Sequence, residues 1–177
     1  MVKLDSEKIK ALLNQQDSVS STTKKGRILE NTFLDIFEKI PGIFLLNRNQ
    51  LDYDRNQEID LAFWNEQYRD GLYFLPNIIP IECKNWGRRV DGMHIEWFVN
   101  KLKKRGLEYG IVIARNGITG HDNKGAQSVI TGALRERIKI IIITKQEIEN
   151  ITDTEQIIKL LKEKLLNLMI YVKVSKT

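Results

Sequence analysis

The amino-acid sequence predicts an α/β protein with a mixed central sheet flanked by helices. Three observations support this prediction. Apolar residues recur at helical spacing in several segments, three strand-like segments follow one another between residues 43 and 84, and helical and strand patterns alternate after that point. An early meander followed by alternating helices and strands is typical of a mixed sheet with helices packed on its faces.

Two helices are expected at the start of the chain. The first lies within residues 1–19, where apolar residues fall on one side of a short helical segment. The second should begin at Thr22 or Thr23, either of which can cap a helix, and end near Lys39, before the Pro-Gly pair. Five apolar residues at helical spacing define its buried stripe: Leu29, Phe33, Ile36, Phe37 and Ile40.

Strands dominate the middle of the sequence. Three are expected at residues 43–47, 58–64 and 77–84, and the segment NEQYRDG forms a turn between the second and third. The later elements are a helix at about 94–104, a buried strand at 110–114, a helix near 124–136 and the apolar strand IKIIIIT. Two capping boxes, Thr144 with Glu147 and Thr152 with Glu155, predict the starts of the last helices.

Length and composition narrow the range of functions. A chain of 177 residues is expected to form one domain, with an N-terminal helical extension at 1–19, a core at 20–145 and a C-terminal helical segment at 146–177. One cysteine and two histidines exclude an internal disulfide, a zinc site with several thiolates and a histidine-rich metal cluster. A net charge of +5 is compatible with a polyanionic partner.

The sequence contains no apolar stretch long enough for a membrane span and no export signal, so we expect a cytoplasmic protein without a membrane partner.

The segment IIPIECKNW places charged residues at the end of an apolar strand. Side chains alternate along a strand, so Glu82 and Lys84 should project from one face and Cys83 from the other. Charges on a covered face must be paired or bind a metal. The simpler alternative is an ordinary ion pair where the strand reaches solvent.

Two further acids occupy positions that apolar residues usually take. Asp60 lies in the strand segment EIDLAFW, and pairing with the next strand could bring its carboxylate within a few ångströms of Glu82. Glu30 lies in line with the apolar stripe of the second helix. Three converging carboxylates would repel one another unless a divalent cation neutralised them, and oxygen ligands suit Mg²⁺ or Mn²⁺.

Together, Glu30, Asp60 and the sequence Glu82-Cys83-Lys84 resemble the PD-(D/E)xK nuclease superfamily. The segments KKGRILENTFLDIF, EIDLAFW, IPIECKNWG and EWFVNKLKKRGLEYGIVIA are most similar to its Mrr-type restriction endonuclease branch. The resemblance spans about residues 24–114. It implies a restriction-endonuclease-like core of helix, three strands, helix and strand.

The resemblance also implies roles for individual residues. Asp60, Glu82 and the main-chain carbonyl of Cys83 would bind Mg²⁺ or Mn²⁺. Lys84 would be the catalytic lysine, and Glu30 a helix-borne acid that completes the catalytic set. The Cys83 side chain would have no chemical role. This chain departs from the family pattern in one respect, because Asp60 lies well upstream of the site strand, across a long turn.

Basic and aromatic residues near these acids are candidates for DNA contacts. The basic candidates are Lys24, Lys25, Arg88, Arg89, Lys101 and Arg105. The alternative is a solvated helix face, which is favoured for Lys103 and Lys104. Trp86 could stack on a base or pack against the sheet, whereas Trp64 and Trp97 are expected in the core.

The sequence therefore predicts a metal-dependent DNA endonuclease of the restriction or defence type. A homodimer is expected, because cutting both strands requires two copies of a small catalytic domain, and a separate specificity subunit is a further candidate partner. Apolar residues near the C-terminus could form the dimer interface or pack on the sheet. A Holliday-junction resolvase and a non-catalytic DNA-binding subunit of a larger defence complex remain alternatives.

Overall fold

The structure is a computed structural model, and it describes residues 1–19, 21–51, 58–120 and 125–171. The helices in these ranges are α1 (Ser6–Ser18), α2 (Thr22–Phe37), α3 (Gly92–Lys104), α4 (Ala126–Arg135), α5 (Lys145–Glu149) and α6 (Thr154–Tyr171). The strands are β1 (Ile43–Leu51), β2 (Glu58–Asn65), β3 (Ile78–Lys84), β4 (Tyr109–Ala114) and β5 (Lys139–Ile143).

The five strands form one mixed sheet in the order β1-β2-β3-β4-β5. Strand β2 is antiparallel to both β1 and β3, whereas β3, β4 and β5 run parallel to one another. The parallel strands are connected through α3 and α4, as parallel pairing requires a crossover. The predicted α/β fold with a mixed sheet and flanking helices is confirmed.

The two faces of the sheet are covered by different helices. One face, called here the α2 face, packs against α1, α2 and α6. The opposite face, the α3 face, packs against α3 and α4, and Leu168 of α6 joins its core. Strand β4 is buried on both sides, since Ile111 and Ile113 belong to the core on the α2 face while Val112 and Ala114 belong to the core on the α3 face. In β3, Ile79 and Ile81 lie on the α2 face, so Glu82 lies on the α3 face.

Helix α3 lies close to the sheet because β4 contains Gly110. A Cβ atom at this position would come within 2.7 Å of the Phe98 ring of α3. Asp91 caps the start of the helix by accepting a hydrogen bond from the backbone N–H of His94 at 3.2 Å. A side chain at position 110 would force the Phe98 ring, or α3 itself, to move away from β4.

Several element boundaries differ from the predicted ones. Strand β1 continues to Leu51, and α3 begins two residues earlier than expected. The capping box of Thr144 and Glu147 is present. The one predicted at Thr152 and Glu155 is wrong.

Asp153 accepts a hydrogen bond from the backbone N–H of Gln156 at 3.0 Å, and α6 begins at Thr154. A carboxylate one residue nearer the helix therefore replaces the expected threonine as the capping group.

Helix α6 carries most of the apolar C-terminal residues. Ile157, Ile158, Leu161 and Leu168 are buried within this chain, whereas Leu166 is exposed. Packing on the sheet therefore accounts for much of the apolar character of this segment. None of the helices in the described ranges has the length and apolar composition needed to cross a membrane.

Candidate active site

The candidate site lies where β2 and β3 stop pairing with each other. The antiparallel register pairs Leu61 with Ile81, so the next step along the two strands brings Asp60 beside Glu82. The carboxylate of Asp60 accepts a hydrogen bond from the backbone N–H of Cys83 at 2.6 Å. The side chain of one strand thus bonds to the backbone of the next just beyond the last paired residues, and the two acids are held together.

Glu82 is bound by two lysines. It is 3% exposed and lies between Lys84 of its own strand and Lys101 of α3. The Nζ of Lys84 lies 2.7 Å from Glu82 Oε1, and the Nζ of Lys101 lies 2.9 Å and 2.8 Å from the two carboxylate oxygens. Asp60, Glu82, Lys84 and Lys101 are called here the acid–lysine cluster.

The acid–lysine cluster changes the protonation chemistry of Asp60. Burial, and after it the negative charge of Glu82, raise the pKa of Asp60 to about 7, although the hydrogen bond from Cys83 and the two lysines oppose the shift. Burial and the neighbouring charge both disfavour the ionised form. Paired titratable groups with such a shift are more frequent at functional sites than elsewhere.

Glu30 has other partners. Its Oε2 accepts hydrogen bonds from Arg48 Nε at 3.1 Å and Nη2 at 3.0 Å, and from Asn49 Nδ2 at 3.3 Å. Arg48 pairs with Leu61 in the sheet, so its side chain lies on the α2 face. Glu30, Arg48 and Asn49 are called here the Glu30 cluster. The expected convergence of three carboxylates is thus limited to Asp60 and Glu82.

Cys83 lies between the two clusters. Burial raises the pKa of its thiol well above the usual value, and the negative charges of Asp60, Glu30 and Glu82 add to this shift. A thiol that stays protonated is a poor nucleophile and a poor metal ligand. The expectation that this side chain has no chemical role is compatible with its environment.

The basic residues predicted to contact DNA have different surroundings. Lys24 is exposed at the start of α2, and Arg89 is exposed after β3. Arg88 forms an ion pair with Asp91 at 2.8 Å. The backbone carbonyl of Lys25 accepts a hydrogen bond from Asn85 Nδ2, which ties the start of α2 to the end of β3.

The side chains of Lys101 and Arg105 form hydrogen bonds within the protein. Lys101 belongs to the acid–lysine cluster, and Arg105 Nη1 donates to the backbone carbonyl of Lys101 at 3.0 Å. The proximity of Lys101 to Glu82 was not predicted. A signal was present in the sequence, because Lys101 follows Phe98 by three residues and so lies beside the apolar stripe of α3.

A divalent cation is compatible with the residues at this site. Within the described ranges, no three His, Cys, Asp or Glu side chains come close enough together to bind a metal ion as a group. Mg²⁺ commonly binds through one or two carboxylates and completes its shell with water and substrate phosphates. Asp60 and Glu82 are such a pair, and a cation beside them would favour the ionised form of Asp60, which burial and the charge of Glu82 disfavour.

One of the three tryptophans does not lie where the sequence predicts it. Trp64 is partly buried, and its Nε1 donates to Glu66 at 2.9 Å. Trp86 is partly buried and packs against the core on the α3 face. Trp97 was expected in the core, but 53% of it is exposed, so that expectation is wrong. Trp97 lies on α3 beside His94, with the two ring centroids 4.8 Å apart.

Comparisons with models of protein families, with curated proteins and with solved structures found no match to this chain.

Proposed function

We propose that this protein is a divalent-metal-dependent nuclease that hydrolyses phosphodiester bonds of DNA at the acid–lysine cluster. One observation carries the proposal. Buried Glu82 is held by Lys84 and Lys101 beside Asp60, whose pKa is raised to about 7. This arrangement provides oxygen ligands for a cation and ammonium groups for a phosphate in one place.

The order of the elements gives independent support. Helix α2, strands β1 to β3, helix α3 and strand β4 follow one another in the order that the resemblance to PD-(D/E)xK nucleases implies. Glu82 and Lys84 lie on β3, and Asp60, which departs from the family pattern by its upstream position, lies on the neighbouring strand β2. A fold by itself does not define an activity, so the site residues carry the functional argument.

Each residue of the cluster has a proposed role. Asp60 and Glu82 would hold Mg²⁺ or Mn²⁺. When bound there, the cation would supply a water of lowered pKa and positive charge beside the phosphate. Lys84 places its ammonium next to the phosphate, and Lys101 neutralises the Glu82 carboxylate until a cation takes its place. Water adds to phosphorus as the bond to the leaving oxygen breaks, and the resemblance implies 5′-phosphate and 3′-hydroxyl products.

DNA binding is assigned to the exposed cations around the site. Lys24 and Arg89 are exposed, and Arg88 lies on the surface beside Trp86. Their contacts to phosphates would be independent of base sequence and would weaken as salt increases. Cutting both strands would still require two active sites, so the homodimer remains part of the proposal.

The test is cleavage of supercoiled plasmid in Mg²⁺ or Mn²⁺. The wild-type protein should nick or linearise the plasmid, and EDTA should stop the reaction. Asp60→Asn and Lys84→Met should each lose cleavage, because they remove a ligand and the ammonium beside it. Lys103→Met is a matched control, since Lys103 lies on α3 and forms an ion pair with Glu136 at 2.7 Å, away from Glu82.

The outcomes separate the alternatives. Equal activity in the wild-type protein and both site variants would show that the cluster is not the catalytic site. DNA binding without cleavage by the wild-type protein would favour the non-catalytic DNA-binding subunit. A strong preference for four-way junctions over linear duplex would favour a Holliday-junction resolvase within the same chemistry.

A further inference from the structure

Three aromatic rings form a row beside the acid–lysine cluster. Trp86 follows Lys84 by two residues, and the centroids of Trp86 and His94 are 4.3 Å apart. The His94 and Trp97 centroids are 4.8 Å apart. Both contacts are edge-to-face, with interplanar angles of 81° and 69°. The three residues Trp86, His94 and Trp97 are called here the aromatic row.

The middle of the aromatic row is held in place by Asp91. The Nδ1 of His94 lies 2.6 Å from Asp91 Oδ1, and Arg88 Nη1 donates to Asp91 Oδ2 at 2.8 Å. Asp91 also caps α3, so one carboxylate ties the imidazole to the start of the helix. A surface that is already ordered loses little conformational entropy when a ligand binds to it.

Exposure distinguishes the outer end of the row from ordinary core packing. Trp97 is 53% exposed, and Met93, one turn earlier on α3, is 52% exposed. Trp86 packs against the core on the α3 face, and this packing explains its partial burial. The same packing does not explain the exposed position of Trp97. Large apolar side chains grouped on a surface frequently mark a binding site.

Positive charge accompanies the aromatic row. The Nζ of Lys84 lies 5.5 Å from the centroid of the Trp86 ring, and Arg88 Cζ lies 4.9 Å from it. Aromatic faces beside cations suit a ligand that carries both flat rings and negative charge. Nucleotides have this chemistry.

The row borders the proposed catalytic residues at both ends. Trp97 and Lys101 are four residues apart on α3 and therefore lie on the same side of the helix. Trp86 is close to Lys84, and both lysines bind Glu82. A base stacked on the row would thus lie near the phosphate that the acid–lysine cluster acts on.

We propose that the aromatic row is a stacking surface for an unpaired nucleobase, so that the protein prefers nucleic acid with unpaired nucleotides beside the scissile phosphate. The proposal rests on the nuclease function proposed above and names its substrate class. A base inside a duplex is stacked on both faces by its neighbours and has no free face to offer. An unpaired base does, and any of the four bases can stack.

The test measures binding without cleavage. Fluorescently labelled single-stranded DNA and a duplex of the same sequence are titrated with protein in EDTA, and fluorescence anisotropy gives both dissociation constants. The wild-type protein should bind the single strand more tightly. Trp97→Ala should weaken single-strand binding by roughly tenfold or more and leave duplex binding nearly unchanged. Trp97→Phe should retain most of the preference, because phenylalanine still stacks.

Tyr73→Ala is the matched control. Tyr73 is an aromatic residue of similar exposure, 50%, and it also lies near a lysine, with Lys162 Nζ 4.9 Å from the ring centroid. It precedes β3, whereas the aromatic row follows that strand. Its removal should change neither dissociation constant. Thermal unfolding of each variant checks that the fold is intact.

Two results would overturn the stacking surface: unchanged single-strand binding in Trp97→Ala, or an equal loss for single strand and duplex. The nuclease proposal fails separately. A protein that shows the Trp97-dependent preference but cuts no DNA in Mg²⁺ or Mn²⁺ retains the stacking surface and loses the nuclease function. A protein that cuts DNA while Trp97→Ala binds normally retains the nuclease function only.

Discussion

Two buried glutamates on opposite faces of the sheet are neutralised in different ways. Glu30 on the α2 face is paired with Arg48, and both Arg48 and Asn49 donate hydrogen bonds to the same Glu30 carboxylate oxygen. Glu82 on the α3 face is bound by two lysines and lies beside a second acid, Asp60, whose pKa is raised to about 7. The Glu30 cluster has one acid and one cation, whereas the acid–lysine cluster has two of each.

The difference is the one expected between a structural ion pair and a reactive site. A guanidinium stays charged and has a fixed planar geometry, which suits permanent pairing. Ammonium groups are flexible point charges that can move from one anion to another, such as from a carboxylate to a phosphate. We therefore expect the Glu30 cluster to contribute mainly to stability and the acid–lysine cluster mainly to activity.

The largest expected effect is on cleavage. Glu82→Gln should reduce the rate of plasmid cleavage in Mg²⁺ by about 100-fold or more, since even residues that only orient metal ligands commonly contribute 10–100-fold. Glu30→Gln should cost about tenfold or less, because its carboxylate binds Arg48 and Asn49. Initial rates of supercoiled-plasmid loss measure both. Equal losses in two folded variants would return Glu30 to the catalytic set that the family resemblance implies.

The second prediction concerns stability. Arg48→Met should lower the free energy of unfolding by about 2–3 kcal/mol, because it leaves a buried carboxylate without its cation. Lys101→Met should cost about 1 kcal/mol, since Lys84 still binds Glu82. Urea unfolding measures both values. A larger loss for Lys101→Met would mean that the acid–lysine cluster is the main electrostatic support of the fold.

Much of the acid–lysine cluster was predictable from local sequence patterns. The apolar residues of β3 locate the strand, and its alternation places Glu82 and Lys84 on one face. The neighbouring strand pattern around Asp60 brings the second acid next to them. These predictions depend only on the two-residue period of a strand, which the sequence displays directly.

The partners of the two glutamates depend on information that is not local. Strand β1 has a bulge between Leu45 and Asn47, which shifts every later residue to the other face of the sheet. Without it, the alternation from Leu45 would place Arg48 on the α3 face, away from Glu30. Lys101 reaches Glu82 because Gly110 lets α3 lie close to β4. Neither arrangement follows from the spacing of residues within one element.

The third prediction uses the pKa of Asp60, which lies above its ordinary value near 4. Between about pH 4 and pH 7, Asp60 is protonated in the folded state but ionised in the unfolded state. The contribution of Asp60 to stability is therefore present at low pH, decreases from about pH 4 to about pH 7, and is absent above that range. The free energy of unfolding should fall by roughly 2 kcal/mol more between pH 5 and pH 8 in the wild-type protein than in Asp60→Asn.

Urea unfolding at several pH values measures this difference. Saturating Mg²⁺ should reduce it in the wild-type protein, because a bound cation favours the ionised carboxylate. An identical pH profile in Asp60→Asn would contradict the assigned pKa shift.

The smallest expected effect is on metal affinity. Lys101 bonds both oxygens of Glu82, so a cation that binds this carboxylate must compete with the ammonium. Lys101→Met should therefore raise the affinity for Mn²⁺ by roughly three- to tenfold, since it removes a nearby like charge. Lys84→Met should raise it less, because Lys84 bonds only one oxygen. Calorimetric titration with Mn²⁺ measures both constants, and Lys103→Met should leave the affinity unchanged.

The sign of the Lys101→Met result has a direct structural meaning. Tighter Mn²⁺ binding would mean that the ammonium occupies the position of a cation and must be displaced when the metal binds. Weaker binding would mean that Lys101 holds the Glu82 carboxylate in the orientation that the metal needs. In both cases Glu82→Gln should abolish the effect of changing Lys101, because the lysine acts on the metal through this carboxylate. A Lys101 effect that persisted without the Glu82 carboxylate would place the metal elsewhere.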